Sequence, residues 1–298
     1  MHRIIAIAIL VLAAVFNSAR AEVLIGVSGA MTGRLAWIGE QGQRGAEMAV
    51  ADVNMAGGVL GQKVRLISVD DFCDPEQAVA AAQKLVADGV VLVVGHYCSG
   101  ASIPASKVYE EAGVVEISPG STNPQLTEQG RANVFRTIGR DDAQGFIAGN
   151  HLADRWGDKK IAILHDNSTY GKGLADETRK QLNKRGVTEA VYDAYTPGKD
   201  DYSAEVAALQ TAGVSALYVG GYHAEVALIA RAAHDRGYTV QLISGDALAT
   251  EEFALIAGPA AERGPSSHSR RTRGEASKRP RSLSSSVRRT SSPRATRC

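Results

Sequence analysis

The sequence predicts an α/β protein of two lobes, each a mostly parallel sheet flanked by helices. Three observations carry that prediction. Short apolar, β-branched runs alternate with segments of helical spacing from residue 23 to about residue 246, the pattern of repeated βα units. Runs such as 90–94 are apolar without alternation, which fits strands buried on both faces of a parallel sheet. The pattern breaks at Gly139-Arg140-Asp141-Asp142 and then restarts, placing a first lobe at 22–140 and a second at 141–262. A chain of 298 residues is long enough for two such cores.

The elements follow in order. The run 23–27 is a strand, and Gly29-Ala30-Met31-Thr32-Gly33 is a glycine-rich turn after it. That turn lacks the Lys-Ser/Thr ending of a P-loop and the G-x-G-x-x-G spacing of a dinucleotide fold. Residues 39–56 place Ala46, Ala49, Val50 and Val53 at helical spacing, and Gly57-Gly58 stops the helix. After a strand at 64–69, Asp74-Pro75-Glu76-Gln77 starts a helix: a capping Asp, Pro at the first helical position and Gln three residues after the cap. Strands at 90–94, 114–117 and 134–138 complete the first half. In the second half, helices at 143–156, 201–211 and 224–236 alternate with strands at 161–164, 190–194, 215–219 and 240–243. A further helix follows the loop 165–171.

The stretch 89–122 carries the chemistry. Its two strands end in small polar loops, 96–100 and 118–122, which hold Ser99, Gly120, Ser121 and Thr122. Open α/β sheets bind ligands at this carboxyl edge. Small residues let a guest approach the backbone, and the helix that follows favours an anionic group at its N-terminus. The expected guest is a carboxylate or a similar small anion; the plainer alternative is a pair of ordinary βα loops. The sequence has no G-x-S-x-G elbow, no dinucleotide fingerprint and no metal-ligand cluster. Catalytic residues, a cofactor and a metal are therefore not predicted.

The net charge of +1 conceals a division: −11 over 22–262 and +10 over 263–298. Residues 1–21 read as a cleavable export signal, with Arg3, an apolar run at 4–16 and the small-x-small site Ala19-Arg20-Ala21. Export permits disulfides. Cys73 and Cys98 each follow the end of a strand, and their thiols can meet if those strands are neighbours. A zinc site built with His96 is the competing idea, without a fourth ligand at recognisable spacing. Residues 263–298 hold ten Arg and ten Ser, and no aromatic. They read as a disordered basic tail with the composition of a shifted reading frame, and Cys298 within it as unpaired. A nucleic-acid partner is not expected for an exported protein with an acidic body.

Six segments extend the reading. They are Val27-Ser28-Gly29-Ala30-Met31-Thr32-Gly33, Asp70-Asp71-Phe72-Cys73-Asp74-Pro75, Gly95-His96-Tyr97-Cys98-Ser99, Ser118-Pro119-Gly120-Ser121-Thr122-Asn123-Pro124, His165-Asp166 with Tyr170-Gly171-Lys172-Gly173, and Gly220-Gly221-Tyr222-His223. In order and spacing, over 22 to about 262, they resemble the leucine/isoleucine/valine-binding proteins of bacterial amino-acid ABC importers. That family has the periplasmic binding protein type I fold. The resemblance implies two lobes joined by three crossovers, with one amino acid in the cleft. It places Ser99 and Thr122 on the α-carboxylate, with Ser121 in the same loop, and the Gly120 backbone toward the α-ammonium. Tyr170 and Tyr222 would close from the second lobe. Asp246 stands where the family often carries Glu and would pair with the ammonium. Ile38 stands where an aromatic is common, with Trp37 beside it. Cys73 and Cys98 match the family disulfide. On the plainer reading, Tyr170 and Tyr222 are packing residues and Asp246 is a helix cap.

The function implied is that of a monomeric periplasmic substrate-binding protein. It would deliver a small amino acid of the branched-chain type to the membrane permease of an ABC importer, without a cofactor. The alternative is a ligand-sensing domain of the same fold. The resemblance further implies that the C-terminal part of the fold is missing or frame-shifted, so that this chain folds and binds poorly.

Overall fold

The computed structural model describes residues 22–261. The segments read as an export signal and as a basic tail, and Cys298, lie outside the described residues.

Strands β1 (Val23–Gly29), β2 (Val64–Asp70), β3 (Leu92–Val94), β4 (Val115–Ser118) and β5 (Val134–Arg136) pair in parallel in the order β2-β1-β3-β4-β5. Strands β6 (Ile161–His165), β7 (Val191–Ala194), β8 (Ala216–Gly220) and β9 (Gln241–Ser244) form a second parallel sheet, ordered β7-β6-β8-β9. The halves repeat one winding. In each, the strand order reverses beside the first strand, between β1 and β3 and between β6 and β8. That reversal splays the βα loops apart and opens a crevice at the carboxyl ends.

Helices connect the strands: α1 (Ala36–Met55), α2 (Pro75–Ala87), α3 (Ser99–Ala112) and the single turn α4 (Gln125–Glu128) in the first half. The second half holds α5 (Asp141–Trp156), α6 (Thr169–Lys184), α7 (Ser203–Ala212), α8 (His223–Asp235) and α9 (Glu251–Ala257). Their ends follow local chemistry. Asp74 caps α2 by accepting from the N–H groups of Glu76 and Gln77, both at 2.9 Å, with Pro75 behind it. Ser168 and Thr250 cap α6 and α9 in the same way. Gly113 and Gly213 end α3 and α7 in the left-handed region, at φ 68° and 72°.

The period-2 geometry of the strands divides the second core. Ala162 and Leu164 of β6, with Leu217 and Val219 of β8, pack under α7, α8 and α9. Ile161, Ile163, Ala216 and Tyr218 face the other way, against α5 and α6. In the first half the described residues form one core cluster, where Ala78, Ala82 and Leu85 of α2 meet Val93, Ala101, Ala105 and Tyr109.

Two expectations change here. The run 90–94 is not buried throughout: β3 has three residues, and Val91, just before it, is 56% exposed, as Phe135 of β5 is 50% exposed. Nor are the strands preceding Cys73 and Cys98 neighbours, since β1 lies between β2 and β3. The cysteines meet nonetheless, with Cα atoms 5.5 Å apart in a disulfide, because the β2–α2 loop folds back over the end of β1. Phe72 and Cys73 make that turn at φ 54° and 57°, a region costly for side chains with a Cβ. Asp70 and Asp71 hold it by accepting from the backbone N–H of Phe72 and Cys73.

Candidate ligand-binding site

The site grows out of the two loops that follow β3 and β4. Helix α3 begins at Ser99 with no side-chain cap on its N-terminus. Its first N–H groups are thus available to a guest, backed by the dipole of a four-turn helix. The loops are locked to each other by hydroxyls. Ser118 donates to the carbonyl of His96 at 2.6 Å, the Ser102 and Ser121 hydroxyls pair at 2.6 Å, and Ser121 also donates to the Tyr97 carbonyl. Arg136 braces the second loop from β5 through the carbonyls of Ser121 and Asn123, at 2.8 and 2.9 Å.

Beneath the first loop His96 is fully buried. Its Nδ1 lies 2.6 Å from Asp71, and its Nε2 lies 2.9 Å from the Tyr109 hydroxyl. Both ring nitrogens are engaged, and Cys73 and Cys98 are joined, so the groups required by the zinc alternative are already committed.

Loops of the second sheet complete a small enclosure. Tyr97, Ser99 and Gly120 come from the first half, and Tyr170, Tyr222, Asp246 and Ala247 from the second. The enclosed volume is about 10 Å³, room for one water and no more. Gly120 is tightly confined, since a Cβ there would overlap the ring of Tyr97. Beside this enclosure a cleft of about 950 Å³, lined in part by Arg34, Phe72, Asp166, Tyr195 and Glu225, shares Tyr222 with it.

The predicted residues thus divide. Ser99, Gly120, Tyr170, Tyr222 and Asp246 line one space. Thr122 is fully buried behind it, and Ser121 spends its hydroxyl on the neighbouring loop. Neither Trp37 nor Ile38 lines the enclosure, and Ile38 is buried in α1. Asp246 does not cap a helix. It opens a short 3₁₀ turn, and its Oδ1 accepts from Gln144 Nε2 and from the Tyr170 hydroxyl, both at 3.0 Å.

Sequence reasoning missed three members. Tyr97 entered only as part of a motif. Its phenol is pushed up to about 12, by burial first and then by the charge of Asp246. Asp141 and Gln144 entered only within a polar break and a helix. Asp141 is fully buried, and burial, with Asp246 nearby, pushes its carboxyl up to about 7. The adjacent Thr122 hydroxyl pulls the other way without completing a hydrogen bond: Thr122 Oγ1 and Asp141 Oδ2 are both left unpaired. The pair of acids within the lobe break, Asp141-Asp142, was the one available signal.

Contacts also bridge the halves. Asn123 Nδ2 donates to the Thr169 carbonyl at 2.9 Å, and the Tyr222 hydroxyl lies 3.6 Å from Sγ of Cys73. Arg34 reaches the Gly198 carbonyl and Asp200, both at 3.0 Å, with Glu225 at 3.9 Å.

The family model for periplasmic binding proteins matches residues 22–270. The chain belongs to this family. Among related periplasmic binding proteins, Leu/Ile/Val-binding protein homolog 1 of Brucella suis is 51% identical over 246 residues, covering 83% of this chain and 66% of the relative. An amino acid binding protein of Pseudomonas aeruginosa is 46% identical over 256 residues, covering 86% of this chain and 68% of the relative. The solved branched-chain amino acid transporter substrate binding protein LivJ of Streptococcus pneumoniae, in complex with isoleucine, superposes with a TM-score of 0.73 at 30% identity. That match covers 82% of this chain and 69% of LivJ. The present chain therefore spans about two thirds of the length of these relatives. This periplasmic binding protein crosses between its sheets once among the described residues, through 137–140. The other two expected crossovers would follow residue 262, outside the described residues.

Proposed function

We propose that this periplasmic binding protein captures a small amino acid of the branched-chain type between its lobes and passes it to the permease of an ABC importer. The observation that carries the reading is the convergence of complementary groups on one enclosure. Ser99 and the uncapped start of α3 offer donors to a carboxylate, and Asp246 offers a charged acceptor to an ammonium. Charge-assisted bonds of this kind are worth ~1.5–3 kcal/mol each. Tyr170 and Tyr222 supply apolar ring surface and packing, with ring centroids 5.1 Å apart. Names of relatives that specify Leu/Ile/Val or amino-acid binding, and the isoleucine held by LivJ, support the same chemistry.

Capture works by hinge motion. The enclosure itself, at about 10 Å³, has no room for an amino acid, so occupying it from the neighbouring cleft requires the lobes to part at 137–140. Binding then draws on the closed population, which the bridges at Arg34, Asn123 and Tyr222 favour. The protein acts as a monomer on the outer side of the inner membrane, after export directed by residues 1–21.

The test is a thermal-shift screen against the common amino acids, run on the chain as given and on a version with a family-like C-terminus, then calorimetry on the best binder. Asp246→Ala should weaken binding by about 2–5 kcal/mol, because an ammonium in a closed cleft would lose its countercharge. An unchanged dissociation constant removes Asp246 from the site.

A further inference from the structure

The loop after β9 is held in place by hydrogen bonds and packing within lobe 2. It packs so closely that a Cβ on Gly245 would stand 2.5 Å from Leu174 Cδ2, 3.0 Å from the Tyr170 hydroxyl and 3.2 Å from Gln144 Oε1. Gln144 grips the next residue at two points. Its Nε2 donates to Asp246 Oδ1 and its Oε1 accepts from the Asp246 backbone N–H, each at 3.0 Å. Gln144 sits in the first turn of α5, directly after the crossover between lobes. Its Nε2 is also 3.4 Å from Asp141 Oδ1, and the Asp141 N–H donates to the Thr122 carbonyl at 3.0 Å. One helical turn therefore touches the loop after β4 and the loop after β9.

The chemistry of this grip is particular to an amide. A primary amide presents donors and an acceptor in one plane, and so can satisfy a carboxylate oxygen and a backbone N–H together. Glutamate would lack the donors and add a third carboxylate beside Asp141 and Asp246. Leucine would fill the space and satisfy neither partner. With Oδ1 taken by Gln144 and by Tyr170, Oδ2 is the oxygen of Asp246 left for a cation.

We propose that Gln144 is the positioning residue for ammonium recognition, clamping Asp246 by side chain and backbone so that Oδ2 faces the cleft before the lobes close. The inference rests on the amino-acid reading above. Gln144 touches no ligand itself; it acts through Asp246.

The experiment is a double-mutant cycle on the full chain with Gln144→Leu and Asp246→Asn. Calorimetry is run with L-leucine and L-alanine, and with 4-methylpentanoate and propionate, which lack the ammonium. Gln144→Leu should weaken amino-acid binding about tenfold or more, shrink the preference for amino acid over deaminated acid, and add little to Asp246→Asn. Equal losses for both ligand classes, full additivity, or wild-type affinity in Gln144→Leu would overturn the proposal. A second readout needs no ligand: the Gln144 side-chain amide, followed by ¹⁵N NMR, should exchange slowly in the wild type and faster in Asp246→Ala, which removes the acceptor of its Nε2–H. Fast exchange in the wild type also overturns the clamp. Failure of Asp246→Asn to weaken binding strikes instead at the amino-acid reading, and takes the positioning role with it.

Discussion

Replacing Glu116 by glutamine should stabilise this protein by an amount that grows with pH. Glu116 lies in β4, fully buried, and neither carboxyl oxygen completes a hydrogen bond. Burial pushes its pKa from the ordinary 4.5 up to about 8, opposed less strongly by the His96 backbone, Arg131 and Ser102. The folded protein therefore keeps this proton over a range in which the unfolded chain releases it. Between pH 4.5 and about 8 the folded state binds more protons, so stability falls as pH rises. At ~1.4 kcal/mol per pH unit, this group alone removes about 3 kcal/mol by pH 7 and about 5 kcal/mol above pH 8. That is a large part of a domain stability of ~5–15 kcal/mol. Glutamine has nearly the same shape and does not titrate. Asp141, also raised by burial, imposes a slope of the same sign, but wild type and variant share it and it cancels in the difference. Urea unfolding of both proteins from pH 5 to pH 9 is the assay. The gap should be small at pH 5 and reach several kcal/mol at pH 8. Parallel profiles would refute the claim that Glu116 is held protonated.

Three other outcomes are expected. Gly120→Ala should lower amino-acid affinity more than tenfold, because the new methyl overlaps the Tyr97 ring, while the melting temperature moves by only a few degrees; calorimetry and melting together check it. Arg34→Ala should speed ligand release by a few-fold and no more, since exposed pairs are worth ~0–1 kcal/mol, and stopped-flow measurements should find the difference shrinking in high salt. Replacing both Cys73 and Cys98 by serine should cost about 3 kcal/mol, the chain-entropy value for a bridge spanning 25 positions, and peptide mapping without reductant should recover the bridged pair from the wild type.

The sequence by itself determined the βα alternation, the parallel strands and the helix starts. These are short-range properties: the Asp74-Pro75 start of α2 follows from which N–H groups a neighbouring carboxylate can reach. Small polar loops at strand ends marked Ser99 and Gly120, and the resemblance to leucine/isoleucine/valine-binding proteins marked Tyr170, Tyr222 and Asp246. Tertiary structure decided what those residues face. Only the strand order, with β1 between β2 and β3, shows that the cysteines meet without their strands being neighbours. Only packing turns Ser121 away to its neighbouring loop, leaves Val91 exposed near the start of an apolar run, and buries Glu116 with neither carboxyl oxygen hydrogen-bonded. Gln144 shows the limit most clearly. It stands 102 positions from Asp246, in a helix whose sequence reads as ordinary, and it finds its partner because the order β7-β6-β8-β9 brings the end of β9 to the first turn of α5. Periodicity reports which face of an element is apolar. It carries no information on which distant loop will supply the hydrogen-bonding partner, and that pairing is fixed when the lobe packs.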